Sequence, residues 1–224
     1  MGQSIQISSG GMQCIGAYVA QPEGPPKGGI VVAQEIFGVN AHIRSVVDVF
    51  ANHGYTAIAP AFFDHLETGV ELDYDSSGIS KGLELVGELS MDMVVVDVAS
   101  AAQAIASAGR IGAVGYCWGG SVALLAAIRL GMPAVSYYGA RNVQYLGEPV
   151  RAPLQFHFGA KDRSIPAAAV ERHRNELPGA EVFVYPAGHG FNCTPRKDYD
   201  AASATLALER TLDFFSRHLE RATC

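Results

Sequence analysis

The chain has 224 residues, is 49% hydrophobic and 17% charged, and sets 16 Lys and Arg against 22 Asp and Glu for a net charge of −6. That length suits one large domain, and the composition supplies a core and excludes a disordered chain. The acidic balance argues against a nucleic-acid partner, which needs clustered positive charge, and no run nears the roughly 18 apolar residues of a membrane span.

From the N-terminus, MGQSIQISSGG lacks the basic head and apolar middle of a signal peptide. Gln6 stands where a myristoylation signal carries Ser or Thr, so lipidation is not expected. With SSGG at a turn, the first stretch reads as an antiparallel hairpin, and QPEGPPKGG (21–29) as a turn rather than a linker. GIVVAQEI (Gly29–Ile36) reads as a buried strand. The following NAHIRSVVDVFANHG places Ile43, Val46, Val47 and Phe50 at helical spacing, with Asn40 as N-cap and Gly54 as stop. YTAIAPA (Tyr55–Ala61) is the next strand, followed by a Gly- and Asp-bearing loop and a helix over roughly Leu89–Ser107.

Strand RIGAVGY (Arg110–Tyr116) then leads into helix GGSVALLAAIRLG (Gly119–Gly131). Strands AVSYYG (Ala134–Gly139) and LQFHFGA (Leu154–Ala160), a helix near Ala167–Glu176, strand AEVFVYPA (Ala180–Ala187) and a helix from about Tyr199 to Leu219 complete the chain. Short apolar strands alternating with amphipathic helices predict a single α/β domain over residues 1–224, with a mainly parallel sheet covered on both faces. In such sheets functional groups gather at the carboxyl ends of the strands.

Gly115-Tyr116-Cys117-Trp118-Gly119 fits the strand–nucleophile–helix elbow with Cys as nucleophile. Residues two places either side come so close that a Cβ would clash. The helix N-terminus favours a thiolate. In this architecture the nucleophile is followed in chain order by an acid and a histidine. Asp162 in GAKDRSIP and His189 in PAGHGFN each follow a predicted strand in that order. His157 lies inside a strand and reads as a core residue. His53, His173 and His218 read as surface, while His42 and His65 follow strand ends without an assigned role.

The cysteines Cys14, Cys117, Cys193 and Cys224 are widely spaced with no Cys-x-x-Cys pair, which predicts free thiols in a reducing, cytoplasmic setting. Cys193 lies four residues after His189, but no further ligand stands at metal spacing, so no metal is expected.

QEIFGVN (34–40), GYCWGG, YYG (137–139), GAKD and GHGF, in order over nearly the whole chain, resemble the dienelactone hydrolase (carboxymethylenebutenolidase) family. The resemblance implies an α/β-hydrolase fold and a triad of Cys117 as nucleophile, Asp162 as orienting acid and His189 as base. It also implies a role for Glu35 near the thiol in controlling its ionisation. The backbone amides of Trp118 and Ile36 are the expected oxyanion donors. No cofactor is expected, and the expected partner is a small lactone or ester met by a monomeric enzyme. The same triad would serve a thioesterase or general carboxylesterase, and the fold also hosts non-catalytic ligand-binding relatives.

Family members that open dienelactone hold its carboxylate with arginines. Here no arginine stands between Ala61 and Lys81, and Cys193 occupies the position four after the histidine. Arg196, Lys197 and Lys81 are the candidate replacements, with Tyr137 as a further candidate substrate contact. Without the family's arginines, weak or absent preference for a carboxylate-bearing dienelactone is expected.

Overall fold

The computed structural model describes residues 2–11 and 13–220, so Cys224 lies outside the described residues. The chain carries a mixed, mostly parallel eight-stranded sheet with helices packed on it. It divides into two compact units, one running to Gly112 with the C-terminal end from Leu219, the other spanning Ala113–His218.

In the first unit, β1 (Gln3–Ser9) and β2 (Gln13–Ala20) form the expected hairpin, turned by Gly10 and Gly11 at φ 56° and 77°. β3 (Gly29–Ala33) runs parallel to β4 (Thr56–Pro60), and β4 runs antiparallel to β2, giving the order β1-β2-β4-β3. Every residue of β3 and β4 is buried, so both faces of these strands are covered. Strand β3 is shorter than the expected Gly29–Ile36, because the chain leaves the strand at Gln34 and turns at Ile36–Phe37. Helix α1 (Ala41–Asn52) starts where expected, the Asn40 side chain accepting from the Ile43 amide at 3.2 Å.

The expected loop after β4 instead holds a 3-10 turn (Phe62–His65) and a helix, α2 (Ser76–Glu88), capped by Asp75. Two of its buried positions are Gly78 and Gly82. A Cβ there would fall 1.9 Å from the Asp73 carbonyl oxygen and 2.1 Å from that of Ile36. The glycines that read as helix breakers are what lets this helix settle on backbone. Helix α3 (Met91–Ala104) follows. On it, buried Asp97 takes hydrogen bonds from Ser9 (2.5 Å) and His65 (2.8 Å), which gives His65 a structural role tying the hairpin to α3.

In the second unit β5 (Ile111–Tyr116), β6 (Ala134–Tyr137), β7 (Leu154–Gly159) and β8 (Glu181–Tyr185) are parallel neighbours in that order. Helix α4 (Trp118–Leu125) runs into a π-helical turn (Ala126–Leu130) that ends at Gly131 in the left-handed region, φ 68°. A 3-10 turn (Asn142–Tyr145), α5 (Ala167–Glu176) and α6 (Ala201–Leu219) complete it.

Histidine placement separates what sequence position alone could not. His157 is a core residue, as expected. Its Nε2–H donates to Gln155 Oε1 at 2.8 Å, and Nδ1 accepts from the Tyr185 hydroxyl at 2.7 Å. The amide of Gln155 is itself oriented by Glu181 and the Arg210 carbonyl, which sets this tautomer. His173, expected at the surface, is instead fully buried, edge-on to Phe156 and Phe158 at 4.9 and 4.8 Å, because its helix lays that side on β7. His42 is buried on α1.

Burial, and then the charge of Arg210, pushes the His157 pKa down to about 3. The unfolded chain takes up that proton near the ordinary value of ~6.5, which the native core refuses. Stability should therefore fall as pH drops from about 6.5 toward about 3. Urea midpoints measured across this range are expected to decline, and His157→Gln to decline less steeply although it starts lower.

Candidate active site

Cys117 joins β5 to α4 in a conformation that L-residues seldom adopt, φ 55° and ψ −117°. Three contacts hold it there. Its amide donates to the Tyr137 carbonyl at 3.0 Å, and its carbonyl accepts from Gly120 at 3.0 Å. Gly115 supplies the third, for a Cβ there would lie 1.8 Å from the Gly119 carbonyl oxygen. The glycines around the cysteine are thus dictated by the close approach of strand and helix. Such a backbone costs about 1–3 kcal/mol and persists only where its surroundings over-determine it.

Asp162 lies just past β7 and His189 just past β8. The two loops are pinned back to back: Ala160 and Lys161 donate to the carbonyls of Tyr185 and Ala187 at 2.7 and 2.9 Å. Gly159 permits this, since a Cβ there would meet the Ala187 and Gly188 carbonyl oxygens at 2.5 and 2.7 Å. The result is one line of hydrogen bonds. Asp162 Oδ1 accepts from the Ser164 amide at 2.7 Å, Oδ2 accepts from His189 Nδ1 at 2.7 Å, and His189 Nε2 lies 3.1 Å from Cys117 Sγ. The Asp162 side chain is fully buried, while that of His189 is 14% exposed and so reachable from solvent.

Burial alone would depress the His189 pKa. The Asp162 hydrogen bond, and then the bond to and the charge of Cys117, override it and push the value up to about 10. That raised value contributes stability fully present below the ordinary ~6.5 and lost as pH rises through about 10.

The other predicted site residues fall out differently. Trp118 is the first residue of α4, buried, where helix geometry leaves the leading amides without intrahelical acceptors. Glu35 and Ile36 belong to the first unit, in the turn past β3, and both are buried. Tyr137, expected as a substrate contact, is a core residue: its hydroxyl meets Thr211 at 2.7 Å and its ring packs on Tyr116 and His157. Its neighbour Tyr138 stands against His189 instead, with ring centroids 5.1 Å apart. Tyr138 lies past the end of β6 at φ 39°, where strand alternation no longer sets the direction of its side chain.

Lys81 sits on α2 in ion pairs with Glu84 (2.9 Å) and Glu67 (3.5 Å), and Lys197 is exposed. Arg196 lies beside the histidine: a Cβ on Gly190 (φ 75°) would fall 2.8 Å from its guanidinium. Cys193, four residues after His189, is buried. A cavity of about 610 Å³ lies at the other ends of β7 and β8, lined by Leu146, Val150, Pro153 and Leu177. Its carboxylates Glu148 and Glu176 are paired with Arg129 and Arg172, so the chemistry is not there.

Three comparisons bear on this arrangement. Residues 15–219 match the model of the dienelactone hydrolase family. The chain is 34% identical over 226 residues to the carboxymethylenebutenolidase of Pseudomonas putida, covering 96% of both chains. It is 31% identical to carboxymethylenebutenolidase 1 of Cupriavidus pinatubonensis, again covering 96% of each. Among solved structures, a putative dienelactone hydrolase from Klebsiella pneumoniae superposes with a TM-score of 0.84 at 30% identity, over 97% of this chain and 100% of that one.

The His189 imidazole is expected to stay doubly protonated through neutral pH and to lose its proton near pH 10, read from nitrogen-15 chemical shifts. In Cys117→Ala the midpoint should fall, because two of the upward influences leave with the sulfur. A neutral wild-type imidazole at pH 7.5 would contradict the pairing.

Proposed function

Because the chain belongs to the dienelactone hydrolase family, hydrolases of ester and lactone bonds, we propose that it opens small esters or lactones by covalent catalysis on Cys117. The observation that carries this reading is the unbroken Sγ–Nε2 and Nδ1–Oδ2 line at 3.1 and 2.7 Å. The Cys117 thiolate attacks the substrate carbonyl carbon, and the displaced electron pair forms an oxyanion beside the Trp118 amide. Collapse expels the alkoxide or enolate, which takes the Nε2 proton of His189. Acylation removes the negative sulfur that helped hold this proton, so the imidazole is left neutral. It then takes a proton from water as the oxygen attacks the thioester carbonyl, and collapse breaks the C–S bond, releasing the acid and returning the Cys117 thiolate beside the protonated imidazole. Asp162 holds Nδ1–H throughout and stabilises the imidazolium without itself being protonated. The roles that the resemblance implies for Glu35 and for the Ile36 amide stay part of the proposal. A strained or enol-type lactone suits the machinery, because its leaving group needs little help from a proton.

The substrate class is read as small lactones and esters without a strong demand for a carboxylate. Lys81 is already engaged by two carboxylates. The reading also treats the two units as one monomeric folding domain. Their boundary falls inside β5 rather than in a linker, and a single calorimetric transition is the expected result.

Cys117→Ala should lose turnover of p-nitrophenyl acetate by about 10³-fold or more while its circular dichroism is unchanged. His189→Asn should lose orders of magnitude, and Asp162→Asn somewhat less. Turnover by purified Cys117→Ala above heat-killed enzyme would reject the nucleophile. In a panel of dienelactone, neutral lactones and aryl esters, comparable rates are expected. A large dienelactone advantage abolished by Arg196→Ala would instead assign the substrate carboxylate to Arg196.

A further inference from the structure

Among the described residues, two that are not glycine have positive φ, Cys117 at 55° and Tyr138 at 39°. Strained backbone of this kind collects where function requires it. The strain at Cys117 aims the sulfur. The strain at Tyr138 has no part in the mechanism above.

Tyr138 follows the end of β6, and its conformation is held from both sides. Its amide donates to the His157 carbonyl at 2.8 Å, and the preceding carbonyl, that of Tyr137, receives the Cys117 amide. Gly139 comes next, where a Cβ would meet Asn142 Oδ1 at 2.3 Å. The turn directs a fully buried aromatic ring onto two residues of the histidine loop. It lies 5.1 Å from the His189 imidazole at 61°, and 5.4 Å from Phe191 at 70°. Nucleophile, ring, acid and base therefore follow four successive parallel strands, β5, β6, β7 and β8.

We infer that the ring of Tyr138 is a positioning residue for His189, holding the imidazole so that Nε2 faces the Cys117 sulfur and stabilising it when it carries a proton. A ring packed edge-to-face on an imidazole restricts its rotation, and in that arrangement the ring quadrupole also favours the protonated form where the imidazole edge meets the ring face. The other titratable and charged groups around His189 within its unit are Asp162 and Cys117, bonded to its two nitrogens, Arg196 over Gly190, and Asp198 beside Gly188. The inference rests on the proposed hydrolase reading for its catalytic consequence, but its structural claim stands apart from it.

The test compares Tyr138→Phe, which keeps the ring, with Tyr138→Leu, which keeps most of the volume. Turnover of p-nitrophenyl acetate and the His189 nitrogen-15 titration are measured on both. Tyr138→Phe should match wild type within about twofold. Tyr138→Leu should lower kcat about tenfold with little change in KM, and should move the His189 midpoint down by about one pH unit. Tyr138→Leu with wild-type kcat and titration overturns the inference, as does Tyr138→Phe that fails as badly as Leu while His189 titrates normally. If Tyr138→Leu is too unstable to titrate, Tyr138→Met serves as the second ring-free variant under the same criteria. Failure of the hydrolase reading is seen separately, as turnover that survives Cys117→Ala.

Discussion

The backbone of Cys117 stands at φ 55°, ψ −117°, and most of the candidate site depends on how it is kept there. A residue in this region costs about 1–3 kcal/mol and relaxes unless neighbours forbid it. Here the Tyr137 carbonyl receives its amide, and the close pass of Gly115 under Gly119 leaves no room for another path. A sulfur presented at the start of a helix is the outcome. The apolar core beneath it, β5 and α4 with nearly every residue buried, is what offsets the cost.

The parallel order β5-β6-β7-β8 then brings the remaining groups alongside. Neighbouring parallel strands end about 4.8 Å apart and point the same way, so loops that follow them line up at one edge. Nothing else is needed to assemble groups that lie up to 72 residues apart, as Cys117 and His189 do. Electrostatics follows from the same placement. His157 is fully buried and His189 mostly so, yet the first is held near 3 and the second near 10. Burial pushes both down. What reverses it at His189 is a fully buried carboxylate on one nitrogen and a sulfur on the other, whereas His157 has neutral partners and the charge of Arg210 nearby.

Much of this was legible in the residues. Among the described residues, the SSGG turn located the β1–β2 hairpin, and the alternation of short apolar runs with helical ones located β3–β8 and five of the six α-helices. Helix α2 escaped, since the residues it buries include Gly78 and Gly82 while Ile79 and Leu83 face solvent. Its first two turns pack backbone on backbone, so only Leu85 and Val86 near its end mark the buried side. Strand β3 was overlong because Ile36 resumes the apolar pattern after Gln34 and Glu35, but the chain has already left the strand at Gln34.

The sequence by itself determined the order and spacing of Cys117, Asp162 and His189, each just past a strand, with glycines on both sides of Cys117 and His189, because local sterics and strand patterning are properties of short segments. Only the tertiary structure decided which groups face one another. It put Tyr138 rather than Tyr137 against His189, buried His173 between two phenylalanines, and laid Arg196 across Gly190. Each of these turns on a single dihedral or on a contact between distant segments. Neither leaves a trace in local propensity, since a ring that swings by one backbone rotation is the same residue in the same place along the chain.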